Sequence, residues 1–265
     1  MSKWFSQDPR TNEWTQYDGS DSAALEKAFA GDKKPVKLDF CGNIFTVDVK
    51  KMVQTNNTGG SRRVKREVAA APSSKVAAFV KGMTSDSDGV LGLEQLGDFC
   101  EALGVDPATE QPFILFYKFG VEGCWEATAQ ELLNGFASHG LEPEPKSVTT
   151  AIAKWKNQLA SDYSDFQKFA EFTFKFCRPT TSAKAIAFDD FKEPMSVCLA
   201  VHKSFAFGKP TKLVDFFAVK GRAVSFDLWK QSVRFLHEIK TDCSNYSEDD
   251  CWNTVLDDFV ESIKA

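Results

Sequence analysis

The spacing of apolar residues changes near residue 70, and that change constrains this chain more than any other feature. Before it, side chains alternate as strands require. Glu13-Trp14-Thr15-Gln16-Tyr17, Val36-Lys37-Leu38-Asp39-Phe40 and the series Phe45, Val47, Val49 each place every second residue on one face. After it, apolar residues recur at three and four positions, the period of a helix face. Leu93, Leu96, Phe99, Cys100 and Leu103 form one stripe, and Trp252, Val255, Leu256, Phe259, Val260 and Ile263 form another. Between the two regimes lies Val68-Ala69-Ala70-Ala71-Pro72-Ser73-Ser74, small, unpatterned and broken by proline. The chain is therefore expected to fold as two unlike domains, 1–67 and 75–265, joined by a linker at 68–74.

Within the first region, Asp21 is predicted to open a helix with Leu25, Ala28 and Phe29 on one face and Gly31 as its stop. Asn57-Thr58-Gly59-Gly60 reads as the turn of a hairpin between Met52-Val53-Gln54 and Arg62-Arg63-Val64-Lys65-Arg66. That region is a small α+β module. In the second region, Asp106-Pro107 predicts the start of a helix over 107–119. Thr128-Ala129-Gln130-Glu131 is a capping box for a helix ending at Gly140. Phe166, Phe169, Phe172, Phe174 and Phe176 are too many for one stripe, so their helix should be buried on more than one side. No strand pattern stands out between 75 and 265, and this region is expected to be all-α.

Composition supports a large aromatic core: 24 of the 265 residues are Phe and 43% are hydrophobic. Charge is divided unevenly. The first 70 residues hold twelve Lys and Arg against nine Asp and Glu, and the remainder twenty against twenty-eight. Opposite signs suit different partners. Seven Cys, an odd number with no Cys-x-x-Cys, are expected to be reduced thiols in a nuclear or cytoplasmic protein. No apolar run approaches the ~20 residues of a membrane helix, and the first residues lack the apolar stretch of a secretory signal.

The chemistry of enzymes is not legible. The sequence has no phosphate-loop lysine motif, no Gly-x-Gly-x-x-Gly, no Gly-x-Ser-x-Gly and no His-Glu-x-x-His. His139, His202 and His237 stand far apart in sequence without ligand-type neighbours at metal spacing. Thr84-Ser85-Asp86-Ser87-Asp88-Gly89 resembles the start of a calcium loop. Thr84 holds the place of the first acid and Gln95 that of the closing bidentate Glu, so much of the charge that ~6–8 oxygen ligands should bring is missing. The expectation is a binding protein with no catalytic residue, no metal and no cofactor.

Residues 1–67 resemble a WWE domain. The match is carried by Trp4, Trp14 through Asp18, Leu25 through Phe29, Phe45-Thr46-Val47-Asp48, Met52-Val53-Gln54 and Gly59 through Arg66. The resemblance implies a site for ADP-ribose units of poly(ADP-ribose), with Gln54 and Arg62 holding adenine and phosphate groups. Phe45 stands where well-known binders have Tyr, and Arg10 could stand in for a ligand-contacting Arg near the first Trp. The residue types suit such a ligand. A guanidinium fork fits phosphate oxygens in pairs, a carboxamide reads an adenine edge, and aromatic rings stack on bases. The alternative for Arg62, Arg63, Lys65 and Arg66 is a solvated basic edge strand. Trp4, Trp14 and Tyr17 read as core.

Residues 75–265 resemble the potentiating-neddylation domain of the DCN-like (defective in cullin neddylation) family. The carrying segments are Leu91-Gly92-Leu93 through Phe119, Asp165-Phe166 through Phe176, Asp227-Leu228-Trp229, Ser244 through Trp252, and Leu256 through Glu261. The resemblance implies an all-α fold of two degenerate EF-hand-like halves and a non-catalytic co-ligase. Its partners would be a cullin, the RING subunit of the ligase and the N-acetylated neddylation conjugating enzyme, with poly(ADP-ribose) or ADP-ribosylated proteins added by the WWE module, and neither membrane nor DNA. Asp227, Cys251 and Asp257 match the family's cullin-facing patch, Cys replacing Ala. Leu93, Leu96, Pro112, Phe113, Leu115 and Phe176 match its pocket for the acetylated terminus, where Cys124 replaces Gln and Ala127 replaces Phe. Two alternatives stay open: a poly(ADP-ribose) reader whose helical half is an interaction platform, and a calcium sensor.

Overall fold

Alternation of apolar and polar side chains in the first region produces one antiparallel sheet. The computed structural model describes residues 2–40, 43–68, 71–84, 89–221 and 223–264 and divides into two units between Ala71 and Pro72. The first unit contains β1 (Ser2–Gln7), β2 (Trp14–Gln16), α1 (Gly19–Ala30), β3 (Val36–Phe40), β4 (Asn43–Asp48), β5 (Val53–Asn56) and β6 (Ser61–Val68). Strand order is β2-β1-β6-β5-β4-β3. Register sets Trp4 opposite Arg66, Ser6 opposite Val64, and Gln54 between Val47 and Arg62. These residues share one face. Trp4, Tyr17, Leu38, Val47, Val49 and Val64 are buried there with Leu25 of α1. On the other face, Lys65 lies over the rings of Phe5 (4.7 Å) and Trp14 (4.8 Å).

One local expectation shifts. The cap of α1 is Asp18, whose carboxylate accepts from the Asp21 amide at 2.7 Å, so the helix begins before Asp21. Strand β1 has no clear apolar alternation because its second inward position is Ser6. The hairpin turn closes with Gly59 at φ +85°, and the Asn56 side-chain oxygen accepts from the Gly60 amide at 2.6 Å. Polar ties fasten α1 to the sheet. Glu26 accepts from the Trp4 indole (3.0 Å) and from both Nε (2.8 Å) and Nη2 (2.6 Å) of Arg66.

The second unit is helical. It comprises α2 (Ser74–Met83), α3 (Leu93–Ala102), α4 (Gln111–Phe119), α5 (Ala129–His139), α6 (Pro145–Ser161), α7 (Tyr163–Phe176), α8 (Phe188–Val201), α9 (Pro210–Lys220), α10 (Phe226–Glu238) and α11 (Thr254–Lys264). It is not wholly α. β7 (Val90–Leu91) pairs with β8 (Ala127–Thr128), and β9 (Ala185–Ile186) pairs with β10 (Val224–Ser225). Two residues are too few to leave an alternation in the sequence. Each of these strands leads into a helix, so a unit of helix, connection, short strand and helix recurs, and the two bridges join these units in pairs.

Helix α4 starts at Gln111, with Pro112 in its first turn, rather than at 107. Asp106 caps a turn instead, accepting from the Ala108 amide at 2.9 Å. The capping box at Thr128 and Glu131 is formed, and α5 ends at Gly140. Along α7, Phe166, Phe169, Phe174 and Phe176 are all buried, because α4, α6, α8 and α10 contact it on different sides. The Trp229 indole of α10 donates to the Ala170 carbonyl of α7 at 2.8 Å. Trp252, buried, precedes α11 rather than belonging to it.

Candidate functional site

In the first unit, the helix-side face of the sheet opens at the β5–β6 end into a concavity of about 380 Å³. Its wall brings together Arg10, Phe45, Gln54 and Arg62, with Asp8 and Asn56 beside them. Strand alternation accounts for three of the four, since Phe45, Gln54 and Arg62 project to the same side. Gln54 is only 4% exposed. Its Oε1 accepts from the Tyr17 hydroxyl at 2.5 Å, which fixes the plane of the carboxamide. Burial pushes the Tyr17 phenol up to about 12, so it remains a donor at neutral pH. Arg10 arrives from the 8–13 loop. The Asp8 carboxylate holds that loop by accepting from the amides of Arg10 (2.8 Å) and Thr11 (3.4 Å). The bond from the Arg10 amide lowers the Asp8 pKa from its ordinary value, although burial opposes it. Asp8 also lies 3.9 Å from the Arg62 guanidinium. A cationic fork, a fixed carboxamide and a half-buried ring suit an anionic ligand with a heteroaromatic edge.

In the second unit, a cavity of about 120 Å³ lies between α3 and α4, against the end of α7. Leu93, Leu96, Pro112, Phe113 and Phe176 line it. Leu93, 62% exposed, stands at its mouth. Leu115 does not reach it and is fully buried. Two residues turn a helix by about 200°, so Leu115 faces away from the side that carries Phe113 and Phe116. Sequence reasoning missed Cys100, Phe116, Trp125 and Glu193 on the wall. Trp125 was the legible one, a large ring in a short glycine-containing loop. It meets Phe176 at 5.3 Å and Phe113 at 6.1 Å, which supplies an aromatic wall although Ala127 is small and buried in β8. The loop is tied to α7. The Trp125 amide donates to the Phe176 carbonyl (3.2 Å) and the Cys124 thiol to that of Lys175 (3.3 Å). Burial raises the pKa of Glu193, the polar group on this otherwise apolar wall.

Elsewhere in the helical unit, Asp227 and Cys251 are exposed and Asp257 half-buried. Gln231 links the elements that carry them. Its Nε2 donates to Asp227 (2.8 Å), one turn earlier on α10, and its Oε1 accepts from the backbone amide of Asn253 (2.6 Å). Asn253 lies between Cys251 and α11, and its carbonyl accepts from the Asp257 amide at 3.3 Å. The Tyr246 hydroxyl donates to the Asp257 carboxylate. Cys251, at φ +53°, turns the chain into this segment. Asp227 and Asp257 are thus held, through Gln231 and Asn253, at one hydrogen-bonded corner between α10 and the start of α11, and Cys251 lies two residues before Asn253.

Other candidates sort differently. His202 and His237, distant in sequence, are neighbours in space, with ring centroids 5.7 Å apart and Tyr163 stacked on His237. Burial lowers the pKa of both imidazoles. His139 bonds the Lys118 carbonyl at 2.8 Å. Among the described residues, no group of three His, Cys, Asp or Glu stands close enough to hold a metal ion. Asp86 and Asp88 of the calcium-like segment lie outside the described residues. Cys100, Cys177, Cys198 and Cys243 are buried, Cys124 half-buried, and these and Cys251 are free thiols; Cys41 lies outside the described residues. Among those residues, no helix is long and apolar enough to cross a membrane.

The two units match two known domain families: residues 2–66 match the WWE domain, and residues 147–262 match the cullin binding family. The chain thus carries a WWE domain over 2–66 and a cullin binding domain over 147–262, and its relatives are DCN1-like proteins. Among its relatives, human DCN1-like protein 5 is 28% identical over 179 residues, covering 66% of this chain and 71% of that protein. DCN1-like protein 4 of Drosophila melanogaster is 26% identical over 213 residues, covering 77% and 79%.

Proposed function

We propose that this protein is a non-catalytic scaffold for cullin neddylation. The carrying observation is the corner of Asp227, Cys251 and Asp257 inside a domain that matches the cullin binding family. Two carboxylates around a small residue suit a basic partner surface, giving steering and register. The apolar cavity behind Leu93 takes the acetylated N-terminus of the neddylation conjugating enzyme. Its wall, apolar apart from Glu193, suits an uncharged amide. Holding both partners, together with the RING subunit that the cullin carries, raises the effective concentration of conjugating enzyme at the cullin. The concavity around Gln54 and Arg62 binds ADP-ribose units and brings the scaffold to ADP-ribosylated proteins.

The test is a reconstituted reaction with a cullin C-terminal fragment, its RING subunit and the charged conjugating enzyme. The unaltered chain should accelerate modification, and Asp227→Ala with Asp257→Ala should remove the gain. A double variant as active as the parent sinks the assignment of the cullin surface. The second reading, a poly(ADP-ribose) reader with a helical platform, is favoured by the same Gln54–Arg62 site and predicts ADP-ribose binding with no effect on the cullin reaction.

A further inference from the structure

The helical unit packs together two imidazoles that neither of its docking surfaces uses. His202 caps the C-terminus of α8, His237 lies in the last turn of α10, and both rings meet Tyr163, the first residue of α7. The two imidazole centroids are 5.7 Å apart. His202 is 4% exposed, stacked on Phe166 at 4.6 Å and closed off by Phe205 at 4.9 Å. Among the described residues, neither of its nitrogens has a hydrogen-bond partner, nor has Nδ1 of His237 or the hydroxyl of Tyr163. Buried polar atoms are rarely left so, and a cluster of them marks a place held for something other than stability.

The surroundings admit the neutral rings and resist the charged ones. From α10 the cluster faces Arg234 and Glu238, whose side chains bond each other at 2.8 Å. From α7 it faces Tyr163 and the uncharged Gln167, and from the end of α6 the carbonyls of Leu159 and Ala160. Lys203, after α8, is exposed. Helix C-termini, ring faces and Glu238 attract a cation. Among the described residues, however, no acceptor bonds the buried nitrogens, and a second imidazolium at this spacing repels the first. Burial, and for His202 the neighbouring His237, hold both imidazoles below their ordinary pKa of 6.5.

This end of α10 is tied to the cullin-facing corner. The Glu238 carbonyl accepts from the Asn245 side-chain amide (2.9 Å), whose oxygen accepts from the Lys240 amide (2.8 Å). The next residue, Tyr246, donates to the Asp257 carboxylate. We propose that the His202–Tyr163–His237 cluster is an acid-released latch: protons entering it part the ends of α7, α8 and α10, and the loosened segment after α10 releases Asp257 and weakens the docking corner. The link to docking rests on the cullin reading; the latch itself does not. Its stabilisation is complete above about pH 6.5 and is lost as pH falls through that value toward the lower folded values, because the unfolded chain takes up the protons first. At pH 5.5, each imidazole that folding keeps neutral shifts the equilibrium toward unfolding by up to about tenfold.

The experiment follows the full chain from pH 7.5 to 5.5 by denaturant unfolding and by proton NMR of the histidine rings. Over that interval the parent's folding equilibrium should weaken by about 10–100-fold, and that of His202→Phe with His237→Phe by at least about tenfold less. The Gln pair of substitutions, polar but not titrating, should share the flatter profile. The ring signals missing from the variants should titrate below 6.5 in the folded parent, a reading that stands even if a variant fails to fold. Rings that titrate at or above 6.5, or a double variant as acid-sensitive as the parent, refute the latch. A second arm measures affinity for a cullin C-terminal fragment at both pH values. The parent should weaken by at least about threefold more than the double variant, a comparison in which the fragment's own titration cancels. Equal weakening with the unfolding result intact keeps the latch and refutes its link to docking. No cullin binding by the unaltered chain at pH 7.5 removes the cullin reading and that link, while the unfolding and ring titrations still decide the latch.

Discussion

Glu26 is where the WWE unit's stability depends most directly on charge. It joins three elements, accepting from Trp4 on β1 and from Arg66 on β6 while standing on α1. The hydrogen bonds from Arg66 draw its pKa from 4.5 down to about 2, against an opposing desolvation effect. Each decade of proton affinity corresponds to about 1.4 kcal/mol, so the full difference approaches roughly 3 kcal/mol. A third of the side chain is in solvent, and screening leaves about 1–2 kcal/mol. Because the folded carboxyl titrates below its unfolded value, this stabilisation is complete above about pH 4.5 and fades as the pH falls toward 2. Glu26→Gln keeps the shape and an acceptor for the indole but removes the negative partner of Arg66. For a unit of this size, about 1–2 kcal/mol should lower its calorimetric transition by about 4–15 °C at pH 7. The gap between variant and parent should narrow through pH 4 and close near pH 2. A variant as stable as the parent at pH 7, or a gap unchanged at pH 2, would refute this account of Glu26.

Three further outcomes follow from the helical unit. Gln231→Ala removes two hydrogen bonds worth about 0.5–1.5 kcal/mol each, so it should lower the melting temperature of the helical unit by about 2–10 °C and weaken binding to a cullin C-terminal fragment by about 3–10-fold; an unchanged dissociation constant would count against the corner as a docking surface. Leu93→Asp places a charge at the mouth of the apolar cavity at an exposed position, so the fold should hold while binding of an acetylated conjugating-enzyme peptide drops at least tenfold in a titration. Gly135→Ala would set a Cβ 2.1 Å from the Phe119 ring across the α4–α5 contact and should destabilise the unit by about 1–3 kcal/mol or more in denaturant unfolding.

What could be read in the sequence followed from how local each signal was. The change of period separated a sheet from a helical unit, and the Thr128–Glu131 box located α5 because a cap is set by four adjacent residues. Asp106-Pro107 misled for the same reason: cap chemistry at that point closes a turn, and α4 starts four residues later under the pull of its apolar face. The polar concavity assembled from Phe45, Gln54 and Arg62 because strand pairing makes same-face residues predictable. Leu115 failed because family position does not say which side of a helix a residue faces. Trp125 was legible as a large ring in a short loop, whereas Glu193 and Gln231 were out of reach: each acts across distant segments, through a side chain of α8 or a bridge spanning 22 residues. The His202–His237 pair was hidden likewise, since only tertiary folding brings those rings together.

Helix α7 packs against elements that carry both proposed docking surfaces. Its last turn anchors the loop bearing Trp125, and its middle receives the Trp229 indole from the helix that begins beside Asp227. The two proposed sites therefore share a common girder. Lengthening, bending or loosening it would alter the spacing between docked proteins while leaving each contact intact, and such a lesion would look like a loss of rate without a loss of grip.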